Sequence, residues 1–145
     1  MDCISRQSVC AEQQPEGWWL HCCRATRSLL DKTGIDAMLN NGVGIAYQMH
    51  GFVLVDAEQQ VLRPSIIWCD SRAVPIGEQA FQEMGAEYCQ EQLLNSPGNF
   101  TASRRKWVKD NEPEIYEKAV NVLLTGCYNA QRLTREVDNS RRGLR

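Results

Sequence analysis

The sequence predicts an α/β domain. Stretches with apolar residues at helical spacing alternate with short runs of β-branched and aromatic residues. Gly, Pro and Asn punctuate the joins between them. A length of 145 residues provides for one domain and not two. Hydrophobic residues at 43% and charged residues at 23% are enough to pack those elements around a core. Intervening helices between strands argue for an α/β architecture.

Residues 1–13 carry no clear period and read as an irregular lead-in. Pro15 suits a first helical turn, and Trp18, Cys22, Ala25 and Leu29 share one face, with Trp19, Cys23, Thr26 and Leu30 beside it. Gly34 supplies the stop, so the spacing predicts a helix over 15–33. Asn40-Asn41-Gly42 marks a turn, and the alternation of Val43, Ile45 and Tyr47 predicts a strand over 43–49. Phe52-Val53-Leu54-Val55 is a second strand, with a polar turn at 57–60 and a return at Val61-Leu62, a hairpin over 52–62. A short buried strand follows at 65–68. From Val74 the pattern turns helical, with Ile76, Ala80, Phe81 and Met84 on one face, and a further helical stretch covers 86–94. Ser96-Pro97-Gly98-Asn99 is a loop, and Thr101 is placed to cap a helix running to about Asn111. Pro113 opens a short helix, 120–124 is a buried strand, and 127–133 is a last helix. The tail 138–145 is charged, aperiodic and expected to fray.

Composition also excludes function classes. A net charge of −2 offers no basic face for nucleic acid. No apolar run reaches membrane-spanning length, and the opening residues lack the apolar core of a secretory signal. A cytoplasmic location is therefore expected. The seven cysteines, at 3, 10, 22, 23, 69, 89 and 127, include no C-x-x-C pair. His21, Cys22 and Cys23 are adjacent on a helix and point apart, so a zinc site is not expected, and the thiols read as small, reduced, apolar side chains.

Three stretches resemble one family in order and spacing. The first is Gly44-Ile45-Ala46-Tyr47-Gln48-Met49-His50-Gly51, followed by 61–72, which contains Trp68-Cys69-Asp70-Ser71-Arg72. The second runs from Leu94-Asn95-Ser96-Pro97-Gly98-Asn99 through Trp107 to Tyr116. The third is Val122-Leu123-Leu124 with Tyr128 and Arg132-Leu133-Thr134. Over roughly 12–137 the chain resembles the N-terminal domain of FGGY carbohydrate kinases, and Gln-Met-His-Gly points to the xylulokinase branch. The resemblance implies a ribonuclease H-like, actin-type ATPase domain, incomplete here and lacking its opening strands. It divides the chain into a partial kinase domain over 1–137 and an unmatched tail over 138–145. It further implies ATP-dependent phosphorylation of a ketopentose such as D-xylulose, with magnesium bridging the phosphates.

The sugar contacts implied by the resemblance fall on Gln48, Met49, His50, Trp68 and Asp70. An imidazole and an amide suit hydroxyls, a thioether makes a polarizable wall, and an indole face suits sugar C–H surfaces. Read without the resemblance, His50 is a satisfied surface histidine and Trp68 is core. Asp70 and Arg72 either bind hydroxyls or pair with each other. Asn99 and Thr101 read as loop and cap. No residue of the chain matches the family's phosphate loop, catalytic aspartate or adenosine pocket, so no catalytic, cofactor-binding or metal residue is assigned. The chain alone is expected to be inactive, with ATP and Mg2+ belonging to the full-length family. Tyr47 replaces a small residue and is expected to crowd the pocket, while Arg104-Arg105-Lys106 is expected to weaken its helix's core face. These departures keep a second reading open, a non-catalytic sugar-binding or regulatory module of the same descent. An unpaired sheet edge makes self-association possible. A generic α/β interaction domain is a third reading, with parallel strands as the discriminator.

Overall fold

The computed structural model describes residues 3–5 and 8–137; the tail assigned as frayed lies outside the described residues. The first strand, β1 (Glu12–Gln13), runs into α1 (Pro15–Thr33), which ends at Gly34 in the left-handed conformation with its N–H on the Leu30 carbonyl. A single 3-10 turn, Ala37–Leu39, follows. Next come β2 (Val53–Val55), β3 (Ser65–Ile66), α2 (Val74–Met84) and α3 (Ala86–Tyr88), which widens into a π-turn over Cys89–Leu93. A 3-10 turn at Pro97–Asn99 leads to α4 (Thr101–Asn111), α5 (Pro113–Lys118), β4 (Asn121–Leu123) and α6 (Thr125–Thr134).

β1 pairs with β3 and β2 pairs with β4, both antiparallel, with Glu12 opposite Ile66 and Val53 opposite Leu123. Bridges between Phe52 and Ile66 and between Val55 and Val61 join the two ladders through the predicted hairpin. Asp56 closes its turn through its N–H to the Gln60 carbonyl, with Gln59 at φ 61°. All the named strand pairings among the described residues are antiparallel.

β2 explains why its sequence does not alternate. Phe52 and Leu54 pack with Ile66 and Val108 on one face, Val53 and Val55 pack with Trp18, Leu124 and Tyr128 on the other, and all four are fully buried. Each such side chain contributes about 1.5–3 kcal/mol of burial. The sheet is thus covered by α1 and α6 on one side and by α4 and α5 on the other. Trp18 meets Tyr128 edge-on at 6.3 Å and donates its indole N–H to Gln13 Oε1 at 2.9 Å. Only this first part of α1 is anchored; Cys22 and Leu29, expected on its buried face, are exposed.

Four expectations are corrected. Residues 43–49 form no strand: both sides of β2 are taken, by β4 and by the 61–66 limb, and the segment stays without regular secondary structure and largely exposed. The lead-in is not irregular throughout, because Glu12 and Gln13 form β1. The cap of α4 falls at Phe100 with no side-chain capping bond, so Thr101 is the first helical residue and not the cap. Of the cysteines, all free, only Cys89 and Cys127 are buried, so the reading of every thiol as an apolar packing residue fails.

Candidate functional site

The turn at Met49-His50 connects the exposed segment 43–48 to the buried β2, and the turn at Trp68-Cys69 follows β3. The two turns bring three predicted site residues into one cleft. Met49, His50 and Trp68 line a cavity of about 340 Å³ together with Val74 and Glu78 of α2 and with Asn95, Ser96, Gly98, Asn99 and Phe100. Met49 is 68% exposed and Trp68 is 60% exposed, so neither is a core residue. Both side chains are open to solvent, and Glu78, Asn95, Ser96 and Asn99 share the cleft lining with them.

His50 is the constrained member. Its φ of 60° lies in the left-handed region, which a non-glycine residue occupies only where the surroundings hold it. Its ring stacks on Phe100 at 5.4 Å and 22°, and Nδ1 is buried without a protein hydrogen-bond partner. Burial, and secondarily the charge of Arg104, lower its pKa and favour the neutral imidazole.

The far wall depends on a close backbone approach. A Cβ on Gly77 would lie 2.3 Å from Gly98 Cα and 2.5 Å from Gly98 N, so only glycine lets α2 seat the Pro97–Asn99 turn at the rim.

Asp70 does not join the cleft. It is 2% exposed, and its carboxylate accepts from Ala11 N at 2.6 Å, from Arg72 N at 3.0 Å and from the Arg72 guanidinium at 2.8–3.0 Å. Arg72 also reaches Glu12 at 2.8 Å, Glu12 reaches Arg63 at 2.5 Å, and Arg63 reaches Glu112 at 2.9 Å. Of the alternatives the sequence left open, the pairing of Asp70 with Arg72 is the one formed. Gln48 is half-buried and outside the cleft lining.

Tyr47 does not crowd the cleft. A Cβ on Gly126 would lie 2.0 Å from the Tyr47 ring, so the large side chain fills the space over the small one at the start of α6. Sequence reasoning did not name Glu78, Asn95 or Ser96 as lining residues, and it read Asn99, which lines the cleft, as loop structure rather than a ligand. The polar run 95–99 was the available signal. Arg104, at N4 of α4, is fully buried and donates to the Trp68 carbonyl at 3.2 Å and the Asp70 carbonyl at 3.5 Å. Desolvation, partly offset by Asp70 and Cys69, lowers its pKa to about 10, which leaves it charged at neutral pH.

The described residues do not fit a magnesium nucleotide. Among the described residues no three carboxylate, thiol or imidazole groups converge. Gly42 and Gly44 lie in a segment without regular secondary structure and not at a helix N-terminus, and Gly126, which does open a helix, is covered by Tyr47. No step of phosphoryl transfer is assigned to this chain.

The sequence profile of the FGGY family of carbohydrate kinases, N-terminal domain, matches residues 1–140. The xylulose kinase of Escherichia coli strain K12 is 38% identical over 130 residues, covering 87% of this chain and 25% of that protein. The xylulose kinase of Bacillus subtilis strain 168 is 32% identical over 136 residues, covering 90% of this chain and 26% of that protein. Among solved structures, a xyloylose kinase from Brucella ovis aligns with a TM-score of 0.81 at 29% identity, covering 90% of this chain and 27% of the other. A xylulose kinase from Rhodospirillum rubrum aligns at 0.85 and 23% identity, covering 99% and 31%. The chain therefore spans about a quarter of the length of the curated relatives it matches.

Proposed function

Because this chain belongs to the FGGY family of carbohydrate kinases, through their N-terminal domain, we propose that it carries the sugar side of a ketopentose kinase site. The cleft of Met49, His50 and Trp68 takes a pentulose such as D-xylulose. The convergence of these three side chains in one open cleft, with the amide of Asn99 at its rim, carries this reading. The indole and thioether suit the C–H faces of a sugar, and the imidazole and amides suit its hydroxyls. The relatives' xylulose kinase names support the pentulose, and the likeness to whole kinases supports a ribonuclease H-like, actin-type domain over 1–137. ATP and magnesium would be handled by parts of such a kinase that these residues do not form. The expected location is the cytoplasm; no described helix is long and apolar enough to cross a membrane.

Calorimetry with D-xylulose tests the site. The chain is expected to bind, and His50→Ala to bind about tenfold more weakly, the scale of one lost hydrogen bond. No heat with any pentulose sinks the assignment. A coupled ATP assay tests the division of labour, and sugar-dependent turnover by the chain alone would refute it. The second reading, a non-catalytic sugar-binding or regulatory module, is favoured by the Tyr47 ring over the start of α6. It differs in predicting no turnover even when the remaining kinase segments of a relative are supplied.

A further inference from the structure

One part of the cleft is built from sequence of a single charge sign. Between Arg72 and Arg104 the chain has no lysine, arginine or histidine, and it carries four glutamates, Glu78, Glu83, Glu87 and Glu91. This stretch forms α2, α3 with its π-turn, and the Pro97–Asn99 turn, and it supplies Glu78, Asn95, Ser96 and Asn99 to the cleft lining. The other contributors add no charge to offset it. Residues 37–55, which supply Met49 and His50, contain no Asp, Glu, Lys or Arg, and Trp68 is neutral. The one group there able to become a cation, His50, is held toward its neutral form by burial and by Arg104. Glu78 is therefore the only Asp, Glu, Lys or Arg among the described residues that line the cleft. It is exposed, and it forms no ion pair with any described residue.

The nearest cations in the chain are committed elsewhere. Arg104 is fully buried, with its guanidinium on the Trp68 and Asp70 carbonyls. Arg72 is held by Asp70 and Glu12, and Lys106 by Asp110. In the buried cluster as a whole, Arg63, Arg72 and Arg104 are matched in number by Glu12, Asp70 and Glu112, so its charges cancel. Glu78 is also fixed in place. The contact of Gly77 with Gly98, too close for any Cβ, seats α2 against the Pro97–Asn99 turn at the residue before it. An anionic ligand entering this cleft meets a like charge, and it gives up water without gaining a guanidinium or ammonium in exchange. An uncharged polyol meets neither cost.

We propose that Glu78 is a specificity residue of the cleft, a charge filter that turns away sugar acids and reserves the site for uncharged sugars and polyols. The assignment rests on the reading of the cleft as a sugar site, and it adds the class of ligand by charge. A filter of this kind acts through the field of the carboxylate across the open cleft and needs no directed bond to the ligand. It therefore discriminates between two ligands of the same carbon chain that differ only in carrying a carboxylate.

Calorimetry with D-xylulose and with D-xylonate, the acid of the same five-carbon chain, tests the proposal at low salt. Glu78 is exposed on α2, so Glu78→Gln and Glu78→Lys keep the fold. The native chain is expected to bind the pentulose more tightly than the acid. The ratio of xylonate to xylulose affinity is expected to rise about fivefold in Glu78→Gln, the effect of one charge across a few ångströms of water, and further in Glu78→Lys. The gain should shrink in about 1 M salt, which screens a field but not a hydrogen bond. A native chain that binds xylonate as tightly as xylulose overturns the proposal, as does a ratio that both variants leave unmoved. A ratio that rises only because xylulose binding falls overturns it too, since Glu78 is then a hydrogen-bonding contact and not a filter. No heat with the pentulose, together with xylonate affinity that rises from Glu to Gln to Lys, sinks the pentulose reading and leaves the filter standing. No binding of either ligand to any of the three chains overturns both.

Discussion

Replacing Asp70 by Asn separates a structural carboxylate from a sugar ligand. The carboxylate is fully buried and accepts from Ala11 N, Arg72 N and two guanidinium nitrogens of Arg72. Asparagine keeps the shape but removes the charge, and its NH2 group must face either the Ala11 N–H or the Arg72 guanidinium, donor against donor. Breaking one side of a buried ion pair costs about 3–5 kcal/mol. Domains of this kind are stable by roughly 5–15 kcal/mol in total. A loss of about 4 kcal/mol at an m of about 2 kcal/mol/M moves the urea midpoint down by about 2 M. Unfolding followed by tryptophan fluorescence measures this directly. The residual folded fraction, measured at low urea, is expected to bind pentulose with affinity within about threefold of native. A stability unchanged to within about 0.5 kcal/mol, together with lost pentulose binding, would mean that Asp70 reaches the ligand and that the buried pairing does not represent the working site.

Three further outcomes follow from the geometry. Gly77→Ala places a methyl 2.3 Å from Gly98 Cα, and overpacking of about 1–3 kcal/mol outweighs the helix-propensity gain of about 1 kcal/mol; lower thermal stability with weaker pentulose binding is expected, and unaltered binding would detach the Pro97–Asn99 turn from the site. Gln59→Gly relieves a left-handed residue in the hairpin turn and is expected to raise stability by up to about 1 kcal/mol in urea titration. Burial and Arg104 lower the His50 pKa from its ordinary 6.5, so the unfolded chain protonates first as pH falls; its contribution is complete above 6.5 and is lost as pH drops from there through the folded value. The urea midpoint of the native chain should therefore fall in that window more steeply than that of His50→Gln.

Local signals were legible where a residue's own conformational preference decides the outcome. Pro15 and Gly34 bracket α1, and the unbroken run Phe52-Val53-Leu54-Val55 is a strand buried on both faces. The errors arise where a partner decides. The alternation in 43–49 is real, but a strand needs an open edge beside it, and β2 has none; Val43 stays 74% exposed. The named ladders are antiparallel, so the discriminator set for a generic α/β domain does not exclude it; the family match does. β1 was hidden because its Glu12 reads as polar loop, whereas Arg63 and Arg72 neutralise it 51 and 60 residues away. Arg104 looked like damage to a core face because its acceptors lie 36 and 34 residues upstream. In the cleft, the Met-His pair and Trp68 were named from the motif, while Glu78 and Asn95 join its lining through the packing of α2 against the 95–99 loop.

The turn after β3 shows why so many charges are buried beside a small cleft. Ile67 is buried, Trp68 is turned out into the cleft, and Asp70 is turned back into the protein. A turn that alternates in this way has no regular ladder to hold it, so other contacts must. Ser71 donates its N–H to the Val9 carbonyl, Asp70 takes the Ala11 N–H, and Val74 starts α2 by donating to the Ser71 carbonyl. Arg72 lies over the Trp107 ring at 4.8 Å, and Arg104 holds the carbonyls of Trp68 and Asp70. Well-packed apolar residues in place of this cluster would be at least as stabilising, but they would hold the turn by volume alone and would tolerate several rotations of it. Directional bonds to β1, α2 and α4 leave a single arrangement, with the indole presented outward. The cluster is therefore best understood as the device that aims Trp68, and its charges as acting on the cleft through geometry and not through contact with a ligand.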